Sequence, residues 1–283
     1  MVISRSAAVS DSVGGHFVRV GDTPVYYEVL GAGPPLVLIH GLSGSGRWWA
    51  KNALALAKHH RVFVVDLAGF GRSCAAQRVV LDECGAFLAQ WMDAVELVQA
   101  SIVGHSMGGF IAASLAADAP DRVDRLVLVN AAVLPLSHAD LILRFGLARV
   151  LLSISPGFLP VLMTDGWRAG PLSVVGAARD LLQADIRAKL SRIVAPTLLL
   201  WGANDRLLPP ELGRQLQTAL PNAQLEVIDG AGHNPMWDRP DSFNRSVLAF
   251  LALDSQDQYR VTGFRSRTLD VHTLPRTAMI GRC

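Results

Sequence analysis

A serine with glycines two residues away on either side, Gly104-His105-Ser106-Met107-Gly108, directly follows the apolar run Ser101-Ile102-Val103. Glycine at those two positions removes side chains that would collide around a sharp turn, so the Ser106 hydroxyl can be pushed out on a strained backbone. A helix starting just after it would aim free N–H groups and a positive dipole end at any negative charge developing there. A serine hydroxyl is a weak nucleophile at its free pKa; it needs a base, itself oriented by a third group. Among eight histidines, His233 in Asp229-Gly230-Ala231-Gly232-His233-Asn234-Pro235 is the candidate base, on a loop whose glycines allow close approach. His40 and His105 sit beside motif glycines, where packing or backbone orientation is the expected role. His16, His59, His60, His138 and His272 read as surface or turn residues. The candidate third group is Asp205 in Leu200-Trp201-Gly202-Ala203-Asn204-Asp205-Arg206. The competing place, after the run ending at Val129, holds Asn130, which has no negative charge with which to stabilise an imidazolium.

Three residues so far apart in the chain can meet only if a regular framework brings their loops to one edge. Apolar or β-branched runs predict strands over residues 16–20, 25–29, 36–39, 62–65, 102–104, 126–129, 197–201 and 225–228. Pro35-Leu36-Val37-Leu38-Ile39 and Arg125-Leu126-Val127-Leu128-Val129 are apolar without alternation, as parallel strands covered on both faces require. The first two runs lie only a few residues apart around Gly21 and Asp22, which predicts an antiparallel hairpin leading into the parallel sheet. Helical patterns cover 47–58, 81–98, 107–117, 210–220 and 241–253. This alternation predicts a doubly wound α/β sheet.

Two segments break the alternation. Residues 132–192 hold no strand pattern; they are apolar, helical and punctuated by prolines, too long for a connection, and are expected to form a helical cap. The core is then 15–131 together with 193–253. Residues 254–283 carry five Arg against three Asp with little periodicity and are expected to form a mobile tail.

The 283 residues are 51% hydrophobic and 18% charged, with net charge +2. Overall disorder is excluded, and no dense basic cluster points to nucleic acid. Three irregularly spaced cysteines, Cys74, Cys84 and Cys283, match neither a disulfide framework nor a metal site; no metal or other cofactor is expected, and a reducing, cytoplasmic compartment is. The N-terminus has no apolar run of signal-peptide length. The most apolar stretch, 141–163, is broken by Arg144, Arg149, Pro156 and Pro160, so no membrane span is expected.

Five motifs in order, His40-Gly41-Leu42-Ser43-Gly44, Asp66 to Ser73, Gly104 to Gly109, Gly202 to Asp205 and Gly232-His233, carry a resemblance over about residues 15–253. The chain resembles the α/β-hydrolase superfamily, in particular its small capped esterase-like branch. The resemblance implies an eight-stranded, mostly parallel sheet with an antiparallel second strand, and a cap over the site. Chain order Ser106, Asp205, His233 is the order that fold expects. It also implies an oxyanion hole made by the N–H of Met107 and that of Leu42, with Ser43 the alternative one residue on. Asp66 to Ser73 is read as a turn near the pocket without a catalytic role. The tryptophans Trp48, Trp49, Trp167, Trp201 and Trp237 are expected to pack more than to touch substrate.

The expected activity is hydrolysis of a small or medium apolar carboxylic ester through an acyl-enzyme. C–C bond, thioester or amide hydrolysis with the same triad is the alternative, and a non-catalytic ligand-binding protein the third reading. Related C–C hydrolases often carry Trp after the catalytic His and an Arg in the cap; Asn234 follows His233 here. Epoxide hydrolases and haloalkane dehalogenases use Asp as the nucleophile, and Ser106 speaks against both. Perhydrolase or haloperoxidase activity on the same triad would be a side reaction.

Overall fold

The computed structural model describes residues 14–134 and 154–252. The expected tail, 254–283, lies outside them, as do the apolar cap residues Leu141, Ile142, Phe145, Leu147, Leu151 and Leu152. All eight predicted strands form: β1 Gly14–Val20, β2 Thr23–Leu30, β3 Pro35–Ile39, β4 Arg61–Val65, β5 Ala100–His105, β6 Val123–Val129, β7 Thr197–Gly202 and β8 Ala223–Ile228. They make one sheet in the order β1-β2-β4-β3-β5-β6-β7-β8. β2 pairs antiparallel with both neighbours, in register Val20↔Thr23 and Tyr27↔Val65, and the remaining pairs are parallel. Gly21, at φ 56°, makes the turn of the expected hairpin.

The eight helices of the described residues are α1 Ala53–Leu56, α2 Cys84–Ala94, α3 Met107–Asp118, α4 Leu159–Ala169, α5 Pro171–Gln183, α6 Pro210–Ala219, α7 Pro235–Asp238 and α8 Pro240–Leu251. Burial explains the runs that do not alternate: Leu36 to Ile39 are fully buried, and β5 is buried along its whole length. α3 is buried from Met107 to Ala117, so its sequence shows no polar face for a periodicity to mark.

Two expected helices are shorter than their patterns. The single helix over 47–58 is a 3₁₀ turn, Gly46–Trp49, followed by the one-turn α1. Asn52 lies at the break, buried, with its Nδ2 donating to the Met236 carbonyl and to Asn244 Oδ1. Tertiary bonds thus hold the chain where periodicity alone would have wound it on. The pattern over 81–98 begins with a 3₁₀ turn and stops at Ala94, because Glu96 adopts φ 60°. There Leu97 N–H reaches back to the Met92 carbonyl and Glu96 N–H to that of Asp93, a Schellman ending in which glutamate stands where glycine is usual.

β3 and β5 are neighbours although β4 lies between them in sequence, so the chain runs outward from β3 in one direction and from β5 in the other. Such a switch point leaves a crevice at the carboxyl ends of the two strands. The loops from His40 and from His105 both open there. Among the described residues no helix is long and apolar enough to cross a membrane.

Candidate active site

Ser106 stands between β5 and α3, as the N-cap of α3, with φ 52° and ψ −114°, a conformation that costs a non-glycine residue of order 1–3 kcal/mol and persists only where surroundings enforce it. The enforcement is visible. Ser106 N–H donates to the Val129 carbonyl at 2.9 Å, and the Ser106 carbonyl accepts from Gly109 N–H at 3.0 Å and Ala132 N–H at 3.1 Å. A Cβ on Gly104 would overlap the Gly108 carbonyl, and one on Gly108 would come within 2.5 Å of the His40 carbonyl oxygen. Both glycines are therefore required by close backbone approach. Met107 is the first residue of α3, where an N–H has no partner within the helix.

Asp205 and His233 come together from the loops after β7 and β8. His233 Nδ1–H donates to Asp205 Oδ2 at 2.8 Å, which leaves Nε2 as the bare ring nitrogen. Asp205 Oδ1 accepts from Leu207 N–H at 2.8 Å and Leu208 N–H at 3.0 Å. Asn130, set aside above as an acid, has a different part: its Nδ2 donates to Asp205 Oδ2 while its Oδ1 accepts from Gly202 N–H at 3.2 Å. The carboxylate, fully buried, is thereby held on both oxygens. Nothing in the sequence signals this use of Asn130, because the bond joins the ends of two neighbouring strands.

His233 and Ser106 share the wall of one cavity of about 580 Å³, within the range of small-molecule sites. Leu42 and Ser43 are also in that wall, as are Phe158, Leu162, Val174 and Leu181 from the chain between β6 and β7. Two tryptophans depart from the expectation of packing alone. Trp48 lines the cavity while buried, and Trp167 lines it with most of its surface exposed. Trp49 and Trp201 are fully buried and do pack.

The segment after β3 is held from the side by Asp66. Its Oδ1 accepts from Gly46 N–H at 2.5 Å and its Oδ2 from Arg72 N–H at 2.7 Å. Asp66 is thus a bracket between the loop of residues 40–46 and the turn of residues 71–73, an assignment that the sequence pattern left blank.

His40 and His105 orient backbone, as expected. His40 Nδ1–H donates to the Gly41 carbonyl and its Nε2 accepts from Leu67 N–H at 3.0 Å. His105 Nε2 bonds the His233 carbonyl at 2.9 Å, with the two rings edge to face at 4.9 Å. Burial pushes the pKa of both below the usual imidazole value, well below for His105, where His233 adds to the effect. An unfolded chain takes up these protons near pH 6.5 while the fold refuses them. Stability is therefore complete above that pH and falls as pH is lowered toward the folded values, by at most about 1.4 kcal/mol per pH unit for each ring. Urea midpoints at pH 8, 6 and 5 should decline, and His105→Gln should flatten the decline; equal slopes in both proteins would remove His105 from this account.

A parallel sheet with one antiparallel strand, a strained serine at the switch point and a histidine–aspartate pair beside it define a hydrolase-type framework. The family described as "alpha/beta hydrolase fold" matches residues 34–155 and 156–240, and the chain belongs to it. It is 32% identical to the putative carbamate hydrolase RutD of Azorhizobium caulinodans, across 83% of this chain and 97% of that one. It is 30% identical to the 2-hydroxy-6-oxononadienedioate/2-hydroxy-6-oxononatrienedioate hydrolase of Cupriavidus pinatubonensis, across 86% and 97%. Among solved structures it is similar to the enol-lactonase from Burkholderia xenovorans LB400, with TM-score 0.71 and 26% identity across 84% and 100% of the two chains.

Proposed function

We propose that this protein hydrolyses small or medium uncharged carboxylic esters through an acyl-enzyme on Ser106. The observation that carries the reading is that Ser106 and the Asp205-bonded His233 open on the same apolar cavity. His233 Nε2 takes the Ser106 proton as Oγ attacks the ester carbonyl carbon. The carbonyl oxygen becomes an oxyanion, met by the N–H groups of Met107 and of Leu42 or Ser43. Collapse breaks the bond to the alcohol, which leaves with the proton held by His233. Water then repeats the sequence on the acyl-enzyme, releasing the acid and restoring the serine. Asp205 keeps the proton on Nδ1 and stabilises the imidazolium. Residues 132–192 serve as the cap, a role supported by the cavity wall that α4 and α5 supply.

Hydrolysis of a C–C bond is the second reading, favoured by the relative in Cupriavidus pinatubonensis. That relative's substrate is by name a dicarboxylate. Among the described residues lining the cavity, His233 is the sole ionisable side chain, and a carboxylate buried without a cation costs several kcal/mol. The enol-lactonase likeness supports the ester reading, since a lactone is a cyclic ester. We expect p-nitrophenyl butyrate to turn over roughly 100-fold faster, by kcat/KM, than the p-nitrophenyl half-ester of succinate. Comparable rates on the two, or faster cleavage of a vinylogous diketone carrying carboxylates, would move the assignment to the second reading.

A further inference from the structure

We propose that Asp165 is a positioning residue for the oxyanion loop: from α4 it fixes the Trp48 indole, and through it the turn that presents the Leu42 and Ser43 amides. Asp165 is fully buried and does not line the cavity. Its Oδ2 accepts from Ser45 Oγ–H at 2.7 Å and from Trp48 Nε1–H at 3.1 Å, and its Oδ1 accepts from Arg47 Nη1–H at 3.1 Å. All three donors lie within residues 45–48, so a carboxylate from the chain between β6 and β7 is bonded to the segment just after β3. A buried carboxylate survives only with such partners, and here every partner belongs to one loop.

Trp48 passes the constraint on. A Cβ on Gly41 would lie 2.9 Å from the indole Cζ3, and one on Gly44 would lie 2.7 Å from Cε2. The ring thus sits against both ends of the turn that Gly44 N–H closes onto the Gly41 carbonyl at 3.1 Å. It is also edge-on to His105 at 5.5 Å and to Phe158 at 5.1 Å. Asp66 holds the loop from the sheet side through Gly46 N–H, and Asp165 holds it from the inserted chain. An indole free to shift would leave the turn bracketed on one side only, and an oxyanion donor must be aimed before the charge appears.

The kinetic part of the test rests on the ester-hydrolase reading; the structural part does not. Asp165→Ala should lower kcat for p-nitrophenyl butyrate roughly tenfold to a hundredfold while KM stays within about threefold. Trp48→Phe, which removes the indole N–H and keeps an aromatic ring, should act in the same direction. Inhibition by an alkyl trifluoromethyl ketone should weaken by a similar factor. In that adduct Ser106 Oγ bonds to the ketone carbon, its proton passes to His233, and the ketone oxygen becomes the oxyanion. Asp165→Asn keeps one carbonyl oxygen for Ser45 and Trp48 and should recover most of the rate. Amide hydrogen exchange over residues 41–48 should quicken in Asp165→Ala and Trp48→Phe while β3 and β5 remain protected. A wild-type protein inactive on every ester would end the reading above but leave the exchange experiment decisive. Wild-type kcat and inhibition in Asp165→Ala, a loss that only tracks the folded fraction, or unchanged exchange over 41–48 in Trp48→Phe would each overturn the proposal.

Discussion

Ser106→Ala should leave a folded protein that no longer hydrolyses p-nitrophenyl acetate or butyrate, with kcat lower by roughly 10⁴-fold or more. Alanine fills the same backbone slot: the φ of 52° is imposed by bonds to Val129, Gly109 and Ala132 made by the main chain, none of which needs the hydroxyl. Thermal unfolding should therefore be nearly unchanged, which separates chemistry from folding. Covalent labelling by a fluorophosphonate should disappear with the hydroxyl, because the proposed reaction activates Ser106 Oγ through His233 in the cavity that both line. Equal, slow release of nitrophenol by wild type and variant would defeat the acyl-enzyme altogether. Retained labelling in the variant would place the nucleophile elsewhere.

Asp205→Asn should cost nearly as much, roughly 10⁴-fold in kcat by comparison with the same change in a serine protease triad. The local bonds say why. Leu207 and Leu208 N–H groups need an acceptor at Oδ1, so the asparagine carbonyl is drawn to that side. Its NH₂ then faces both Asn130 Nδ2 and His233 Nδ1. Two donors would confront each other at Asn130. At His233 the bond can be remade only if Nδ1 gives up its proton and Nε2 carries it instead. An imidazole protonated on Nε2 cannot accept the Ser106 proton. Asn130→Ala, by contrast, removes one donor and leaves the charge, and should lose far less activity. Measured kcat for the three proteins on p-nitrophenyl butyrate decides the matter; an Asp205→Asn enzyme within tenfold of wild type would show that the carboxylate is not needed.

Much of this framework could be read from residue order. The apolar runs at Leu36 to Ile39 and Leu126 to Val129 marked covered parallel strands, and the glycines around Ser106 marked a turn that only small residues tolerate. The spacing of Gly21 and Asp22 marked the hairpin. Patterns of this kind are legible because each depends on neighbours within a few positions. Helix ends were less so: the break at Asn52 and the stop at Glu96 come from hydrogen bonds that periodicity does not encode.

Chain composition and local motifs determined the fold class and supplied Ser106, Asp205 and His233 as candidates, since steric demand at a strand-to-helix turn is written in adjacent residues. Only the folded molecule decided which polar side chains hold those candidates in place. The bonding roles of Asn130, Asp66 and Asp165 are not written in the residues around them, for a buried amide or carboxylate gains its role from donors brought to it by other strands and loops. Residues 45–48 and Asp165 are separated by more than a hundred positions, and no local rule links them; burial does, because a carboxylate out of water must find its hydrogen bonds wherever the chain delivers them.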